Sequence, residues 1–305
     1  MSEGNAIGVD IGGTKILTAI VDETGSILEQ VTVATPDSAE LVQTVVVQSA
    51  RTLLTRHEAH YLGVAAAGLV EHATGRVRFA PHISWREEPL RDNLAHALRA
   101  DGINSVTLDN DANAALWAEW RFGAARGREQ VLLVTVGTGI GGAVMSTGQI
   151  MRGSNGMAGE FGHIQYVPAG RPCQCGLRGC WEQYASGRAL SMQMQMQDGG
   201  RVLAGEAVMR AAHDGDREAQ RAFSQVGQAL GLGLADLIAA LDPELILIGG
   251  GVSMADELLL GPTRSAASSR LVGRGHRRLA DIAVAALGPA AGVISAADLA
   301  RGRPA

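Results

Sequence analysis

The feature that most restricts the fold is an apolar strand, a glycine turn and a second apolar strand, present twice. The first copy reads Ala6-Ile7-Gly8-Val9-Asp10-Ile11, then Gly12-Gly13-Thr14-Lys15, then Ile16 to Val21. The second reads Gln130 to Val136, then Gly137-Thr138-Gly139-Ile140-Gly141-Gly142, then Ala143-Val144-Met145. In a dinucleotide fingerprint or a P-loop a helix must follow the glycines at once; here strands follow, which argues against both and against a dehydrogenase. Similar halves suggest an internal duplication and two related α/β cores. A chain of 305 residues is long enough for two domains, each burying its own core.

Elsewhere the apolar pattern predicts a strand over 27–33, a helix over 40–56, strands over 62–66 and 105–108, and a helix over 112–120. Residues 186–241 read as mostly helical, with a polar Met- and Gln-rich surface segment over 191–200. One long helix over 222–241 carries Gly227, Gly231 and Gly233, which permit close approach of a neighbouring helix. A strand over 244–248 leads into Gly249-Gly250-Gly251, followed by helices near 254–260 and 263–271, a strand over 281–286 and a final helix from 290.

At 46% hydrophobic and 19% charged residues the chain is too apolar for disorder. Its net charge of −5 and scattered basic residues argue against a nucleic-acid surface. No uninterrupted apolar run approaches a membrane span, and Met1 to Ala6 offers no export signal, so no membrane partner and a cytoplasmic location are expected.

All three cysteines, Cys173, Cys175 and Cys180, fall within eight residues, and His163 lies shortly upstream. A Cys3His set with four protein ligands suits a closed structural Zn²⁺ site, and an odd number of clustered thiols fits a reducing compartment. Glu160 and Glu182 bracket the ligands. Carboxylates projected by a rigid loop, without an open metal position, suggest recognition of a polyhydroxyl ligand. The plainer alternative is buried, unliganded thiols beside solvated glutamates.

Glycine turns at Gly12-Gly13, 137–142 and 249–251 each follow an apolar strand, which suits main-chain N–H groups cradling nucleotide phosphates. Thr14 and Thr138 add hydroxyls, and Lys15, the sole lysine, adds a charge. Asp10 at a strand end is placed either to hold Mg²⁺ through water or to cap a turn. Asp109-Asn110-Asp111 stands where a strand meets a helix, a common place for catalytic groups and equally for an N-cap. As chemistry, Asp111 suits a general base for an attacking hydroxyl and Asn110 a hydroxyl binder.

Val9 to Lys15, Asn110 to Ala115, Gly137 to Gly142, Glu160-Phe161-Gly162-His163 and Cys173-Gln174-Cys175-Gly176-Leu177-Arg178-Gly179-Cys180-Trp181-Glu182 together resemble the ROK sugar kinases. The stretches Phe79-Ala80-Pro81, Trp85-Arg86, Trp181 to Arg188 and Gly249 to Ser253 are most similar to the actinobacterial glucokinase type within that family. The resemblance implies an actin-like, hexokinase-type ATPase fold with a zinc-binding loop, whose two α/β domains close on a sugar and ATP-Mg²⁺. The expected domains are 1–117 with 290–305, a small N-terminal domain, and 118–289, a larger one carrying the zinc knuckle. It implies Asp111 as catalytic base, sugar contacts from Gly68, Asn110, Glu160, His163 and Glu182, and a zinc role for His163. Gly12, Gly13, Thr14, Thr138, Gly139, Gly250 and Gly251 would surround ATP. The implied reaction is phosphorylation of glucose, with mannose, fructose or an N-acetylhexosamine as alternative substrates, and the implied assembly is a homodimer. A sugar-responsive repressor is the non-enzymatic alternative; repressors of this type carry a helix-turn-helix ahead of the first glycine turn, where few residues stand here. The sequence departs from the family at His82, Ser84, Ala67 and Ala143.

Overall fold

The computed structural model describes residues 4–80, 83, 85–197 and 205–302; His82 and Ser84 lie outside them. The chain divides into two compact units, the first of Met1–Gly127, Val144–Ala158 and Leu287–Ala305, the second of Arg128–Ala143 and Gly159–Ala286. A boundary at 117/118 would cut the helix Asp111–Phe122, whose buried Leu116, Trp117, Ala118 and Glu119 all fall in the first unit. The boundary therefore falls after that helix, and the first unit, expected to be the smaller, takes the larger share of the chain.

The first unit contains β1 (Ala6–Ile11), β2 (Lys15–Val21), β3 (Ile27–Ala34), α1 (Ala39–Leu54), β4 (Tyr61–Ala66), β5 (Leu69–Glu71), β6 (Arg76–Phe79), β7 (Arg86–Glu88), α2 (Leu90–Leu98), β8 (Ser105–Asn110) and α3 (Asp111–Phe122). One sheet runs β3-β2-β1-β4-β8, antiparallel through the meander and parallel from β1 to β8. Its register sets Asp10 beside Ala65, and Ala65 beside Asp109, so Asp10 and Asp109 reach the same carboxyl edge. The small sheet β5-β6-β7 and helix α2 have no counterpart in the sequence reading.

In the second unit β9 (Val131–Val136) leads to β10 (Ile140–Ser146), on which the chain passes back to the first unit and β11 (Gln149–Ile150). Then come α4 (Glu182–Ala185), α5 (Gly187–Gln197), α6 (Gly205–His213), α7 (Arg217–Leu241), β12 (Leu245–Gly249), α8 (Glu257–Ser269) and β13 (Asp281–Val284). β9, β12 and β13 are parallel neighbours in the order β11-β10-β9-β12-β13.

Two expectations need correction. The Met/Gln-rich run, whose residues 198–200 lie outside the described ones, is helical as expected up to Gln197 in α5, but it is not wholly surface: Met194 is fully buried while Met196 is exposed. The two helices foreseen around Pro262 are one, α8, which begins after a 3₁₀ turn at Gly251–Ala255 and continues through the proline. Packing overrides the proline signal: a Cβ on Gly231 of α7 would meet the Thr263 carbonyl oxygen at 2.1 Å, and one on Gly227 the Leu259 oxygen at 2.8 Å. The close approach foreseen from those glycines is thus found. Of the described helices, only α7 is long and apolar enough to cross a membrane; 56% of its apolar window is buried in the protein, as in a core helix.

The last helix, α9 (Ala291–Ala300), lies on β1 and β4. A Cβ on Gly8 would sit 1.9 Å from the Val293 oxygen and one on Gly63 1.8 Å from the Ala296 oxygen. Helix backbone rests directly on strand backbone there, and only glycine leaves room.

Candidate functional site

The first unit brings Gly68, Asn110 and Asp111 together. Asn110 caps α3: its Oδ1 accepts the Ala112 N–H at 2.8 Å and the Asn113 N–H at 3.3 Å. Its Nδ2 donates to the Gly68 carbonyl at 3.0 Å, which uses one of the two amide N–H groups. The capping alternative is therefore real for Asn110, and it also fixes the Gly68 carbonyl. Gly68 has φ of 113°, and a Cβ there would lie 2.4 Å from the Phe79 oxygen, so both backbone and space demand glycine. Asp111 is exposed in the first turn of α3, where its Oδ1 accepts the Ala112 N–H at 2.9 Å and the helix dipole favours its charge.

Asp109 is different, being buried. Its Oδ1 accepts from the Asn110 N–H at 2.8 Å and Asn113 Nδ2 at 3.2 Å, and its Oδ2 from Arg152 Nε at 3.0 Å and Nη2 at 2.7 Å. Arg152 was not singled out in the sequence, because nothing local marks a partner 43 residues away.

Asp10 faces the first turn of α9, a partner the sequence did not reveal: a Cβ on Gly292 would lie 2.7 Å from its Oδ2. Burial, and next the charge of Asp111, push its carboxyl up to about 7 against the pull of Lys15. A half-buried carboxylate held this high beside a second one suits a divalent cation, which would remove the repulsion. Metal-free stability should respond. Relative to the ordinary value of 3.8, the folded chain keeps a proton that the unfolded chain loses, so this group's contribution falls as pH rises from about 4 to about 7 and then levels off. Thermal unfolding without divalent ions should show Asp10→Asn melting above the parent at about pH 8, the two converging at about pH 4. Parallel curves over that range would contradict a raised Asp10.

The turn 12–15 is less open than a phosphate nest, since the Gly12 N–H donates to the Lys15 oxygen at 3.1 Å and closes the hairpin. Gly13, Thr14 and Lys15 are its exposed residues. In the second unit, the Gly137 N–H closes on the Gly139 oxygen at 3.0 Å. Gly250 has φ of 81°, and a Cβ there would meet the Val136 oxygen at 2.5 Å, so β12 can follow β9 this closely only with glycine. Thr138 and Gly251 line a cavity of about 820 Å³, walled by Arg188, Met209, Phe223 and Val252. An apolar cavity ending on glycine turns suits a planar base with its phosphates toward the turns.

The ligand atoms of His163, Cys173, Cys175 and Cys180 all lie within 4.8 Å of one another. His163 Nδ1 is 3.7 Å from Cys173 Sγ, and Cys175 Sγ is 3.6 Å from Cys180 Sγ. Tetrahedral zinc with Zn–S of about 2.3 Å spaces its donors by about 3.8 Å, so the residues fit the ion. Burial opposes ionisation of Cys173, but hydrogen bonds from Cys175, Cys180 and His163 bring its thiol down to about 7. Burial, then the neighbouring thiols, push Cys180 up to about 12. Thiols crowded in this way favour a cation that displaces their protons. Gln183 Nε2 also donates to Cys173 Sγ at 3.4 Å, an outer partner of the kind that orients metal ligands.

Both bracketing carboxylates adjoin this knuckle. His163 Nε2 is 3.9 Å from Glu160 Oε2, and desolvation, with a smaller push from Glu182, raises the Glu160 carboxyl. Glu182 Oε2 accepts the Ile140 N–H at 3.0 Å and lies where a Cβ on Gly139 would be, 2.1 Å away. The carboxylate that follows the cysteines thus rests on the second glycine turn.

The ROK family matches residues 6–303 of the chain. The glucokinase of Streptomyces coelicolor is 40% identical over 98% of this chain and 98% of its own. That of Halalkalibacterium halodurans is 35% identical, covering 96% of this chain and 94% of its own. Among solved structures, a ROK family glucokinase from Streptomyces griseus in complex with glucose and AMPPNP superposes with a TM-score of 0.89 at 41% identity, over 98% of this chain and all of that one.

Proposed function

The chain belongs to the ROK family, with its actin-like ATPase fold, and on that premise we propose that it is an ATP-dependent glucokinase that phosphorylates the 6-hydroxyl of glucose. The observation that carries the reading is Asp111, a carboxylate exposed in the first turn of α3 beside Asn110, which caps that helix, and the fixed Gly68 carbonyl. Glucose and the ATP analogue held by the Streptomyces griseus enzyme supply the ligand classes.

In this reading Asp111 accepts the hydroxyl proton as the oxygen attacks the γ-phosphoryl, late in a loose, in-line transfer. Asn110, the Gly68 carbonyl, Glu160, His163 and Glu182 bind sugar hydroxyls, acceptors and donors being mixed as a polyol requires. Gly13, Thr14, Lys15, Thr138, Gly139, Gly250 and Gly251 hold the nucleotide, with the base in the cavity beside Thr138, while Gly12 borders it by closing the turn that presents Gly13 to Lys15. Asp10 would hold Mg²⁺, which neutralises charge on the β- and γ-phosphates when bound. His163, Cys173, Cys175 and Cys180 would hold a structural zinc that fixes the loop between the two sugar carboxylates. Reduced clustered thiols fit the cytoplasm, and the family resemblance supports a homodimer.

ADP release from ATP-Mg²⁺ with glucose, mannose, fructose, N-acetylglucosamine and N-acetylmannosamine tests the assignment. Glucose should give the highest kcat/KM. Turnover on none of them, with nucleotide bound, would replace the kinase by a binding or regulatory protein.

A further inference from the structure

We infer that Arg152 is a positioning residue for phosphoryl transfer: through Asp109 it holds the turn that presents Asn110 and Asp111. The inference rests on the kinase reading above, with Asp111 as the base.

Asp109 is 4% exposed, and each of its oxygens has two donors. One oxygen takes the Asn110 N–H and the Asn113 amide, which locks the backbone entering α3 and its first turn. The other takes both the Nε and Nη2 of Arg152. A buried carboxylate is costly unless paired, and the guanidinium supplies the pairing with a fixed orientation. Without it Asp109 would have to turn toward solvent or toward another donor, and that change loosens its hold on Asn110. Asn110 is the residue whose amide caps α3 and fixes the Gly68 carbonyl, so a small rotation there moves base and sugar ligands together.

The arginine is itself anchored. The Ala158 N–H donates to the Arg152 carbonyl at 3.0 Å, closing the loop that follows β11. Gly156 of that loop, with φ of 75°, comes so near β5 that a Cβ would lie 2.9 Å from the Val70 oxygen. His72, one residue beyond β5, completes the surround, its Nδ1 2.8 Å from the Leu108 oxygen and 3.6 Å from Asp109 Oδ2. One guanidinium therefore ties the loop 151–158 to the strand end that carries the proposed base. Because Arg152 acts through Asp109, it need not touch substrate.

The test is a kinetic split with chemical rescue in the full-length protein. Arg152→Ala should lower kcat by about thirtyfold or more while KM for ATP changes less than threefold, since lost orientation affects transfer rather than nucleotide binding. Free guanidinium ion, added at concentrations that leave the parent unaffected, should restore kcat at least fivefold; Arg152→Lys, which keeps the charge without the fork, should fall between. Asp109→Asn should lose kcat similarly, and the double variant should lose no more than the worse single one. If Arg152→Ala unfolds, Arg152→Lys and Asp109→Asn carry the same cycle. A parent without sugar kinase activity would overturn the functional reading. An active parent, with an unchanged kcat in Arg152→Ala, or with additive losses and no rescue, would overturn this inference alone.

Discussion

Asp111→Asn should lower glucose-dependent turnover on the order of a thousandfold and leave glucose affinity within about tenfold. The substitution keeps the size of the side chain and its place in the first turn of α3, where Oδ1 accepts the Ala112 N–H. What it removes is the ability to take a proton. The capping of α3 is done by Asn110, so the helix should keep its start, and an unfolding curve should show at most a small change. Removing the charge also removes the repulsion that helps raise Asp10, which should bring that carboxyl back toward its ordinary range. A loss of turnover combined with retained or slightly stronger Mg²⁺ binding would separate the base from a cation ligand. Single-turnover kinetics with glucose and ATP, beside glucose binding by intrinsic fluorescence, make the measurement. A variant that keeps more than a tenth of the parent rate would exclude Asp111 as the base.

What could be read in the sequence is what physics makes local. Alternating and continuous apolar runs located β1, β2, β9 and β12 within a residue or so, because a buried strand must be apolar wherever it pairs. The spacing of Cys173, Cys175 and Cys180 was enough to foresee a cluster, since a turn of that length leaves the thiols few other places to go. The long-range terms were not legible. Arg152 meets Asp109 only because β11 and its loop return to the first unit, and the side chain of Asp10 meets α9 from the far end of the chain. Gly8 and Gly63 looked like ordinary strand residues; the reason for them is a helix whose Val293 and Ala296 lie 285 and 233 residues further along the sequence. Gly12 shows the opposite error, in which a local rule was read too far: its N–H, assigned to a phosphate, closes a hairpin. Pro262 shows tertiary packing overriding a propensity, since α7 and α8 touch through glycines on both sides of it.

Removing the metal should separate the two binding functions. Cys180→Ser should reduce zinc content to under a tenth and raise the KM for glucose by about a hundredfold or abolish turnover, while nucleotide binding changes little. The knuckle is a poor core by itself. Between residues 163 and 180 its regular contacts are short turns, such as the Cys173 N–H on the Leu177 oxygen at 2.8 Å and the Gly179 N–H on the Arg171 oxygen at 2.8 Å. Four ligands drawn to one ion would supply the cross-link that such a segment lacks. Beyond Cys180 the chain is anchored differently: Trp181 is buried, its Nε1 donates to the Ala229 oxygen at 2.8 Å, and its ring lies where a Cβ on Gly233 would be. That anchor should survive loss of the ion, so the unit should remain folded around α7 while the segment carrying His163 loosens. Glu160 and His163 would then lose their orientation, whereas the cavity beside Thr138 and Gly251 draws on α5, α6 and the strand ends and should persist. Zinc analysis, nucleotide fluorescence and glucose kinetics on one preparation test the separation. Equal loss of glucose and nucleotide binding would mean that the knuckle supports the whole unit; unchanged glucose kinetics at low zinc would mean that the cysteines play no part in holding the sugar.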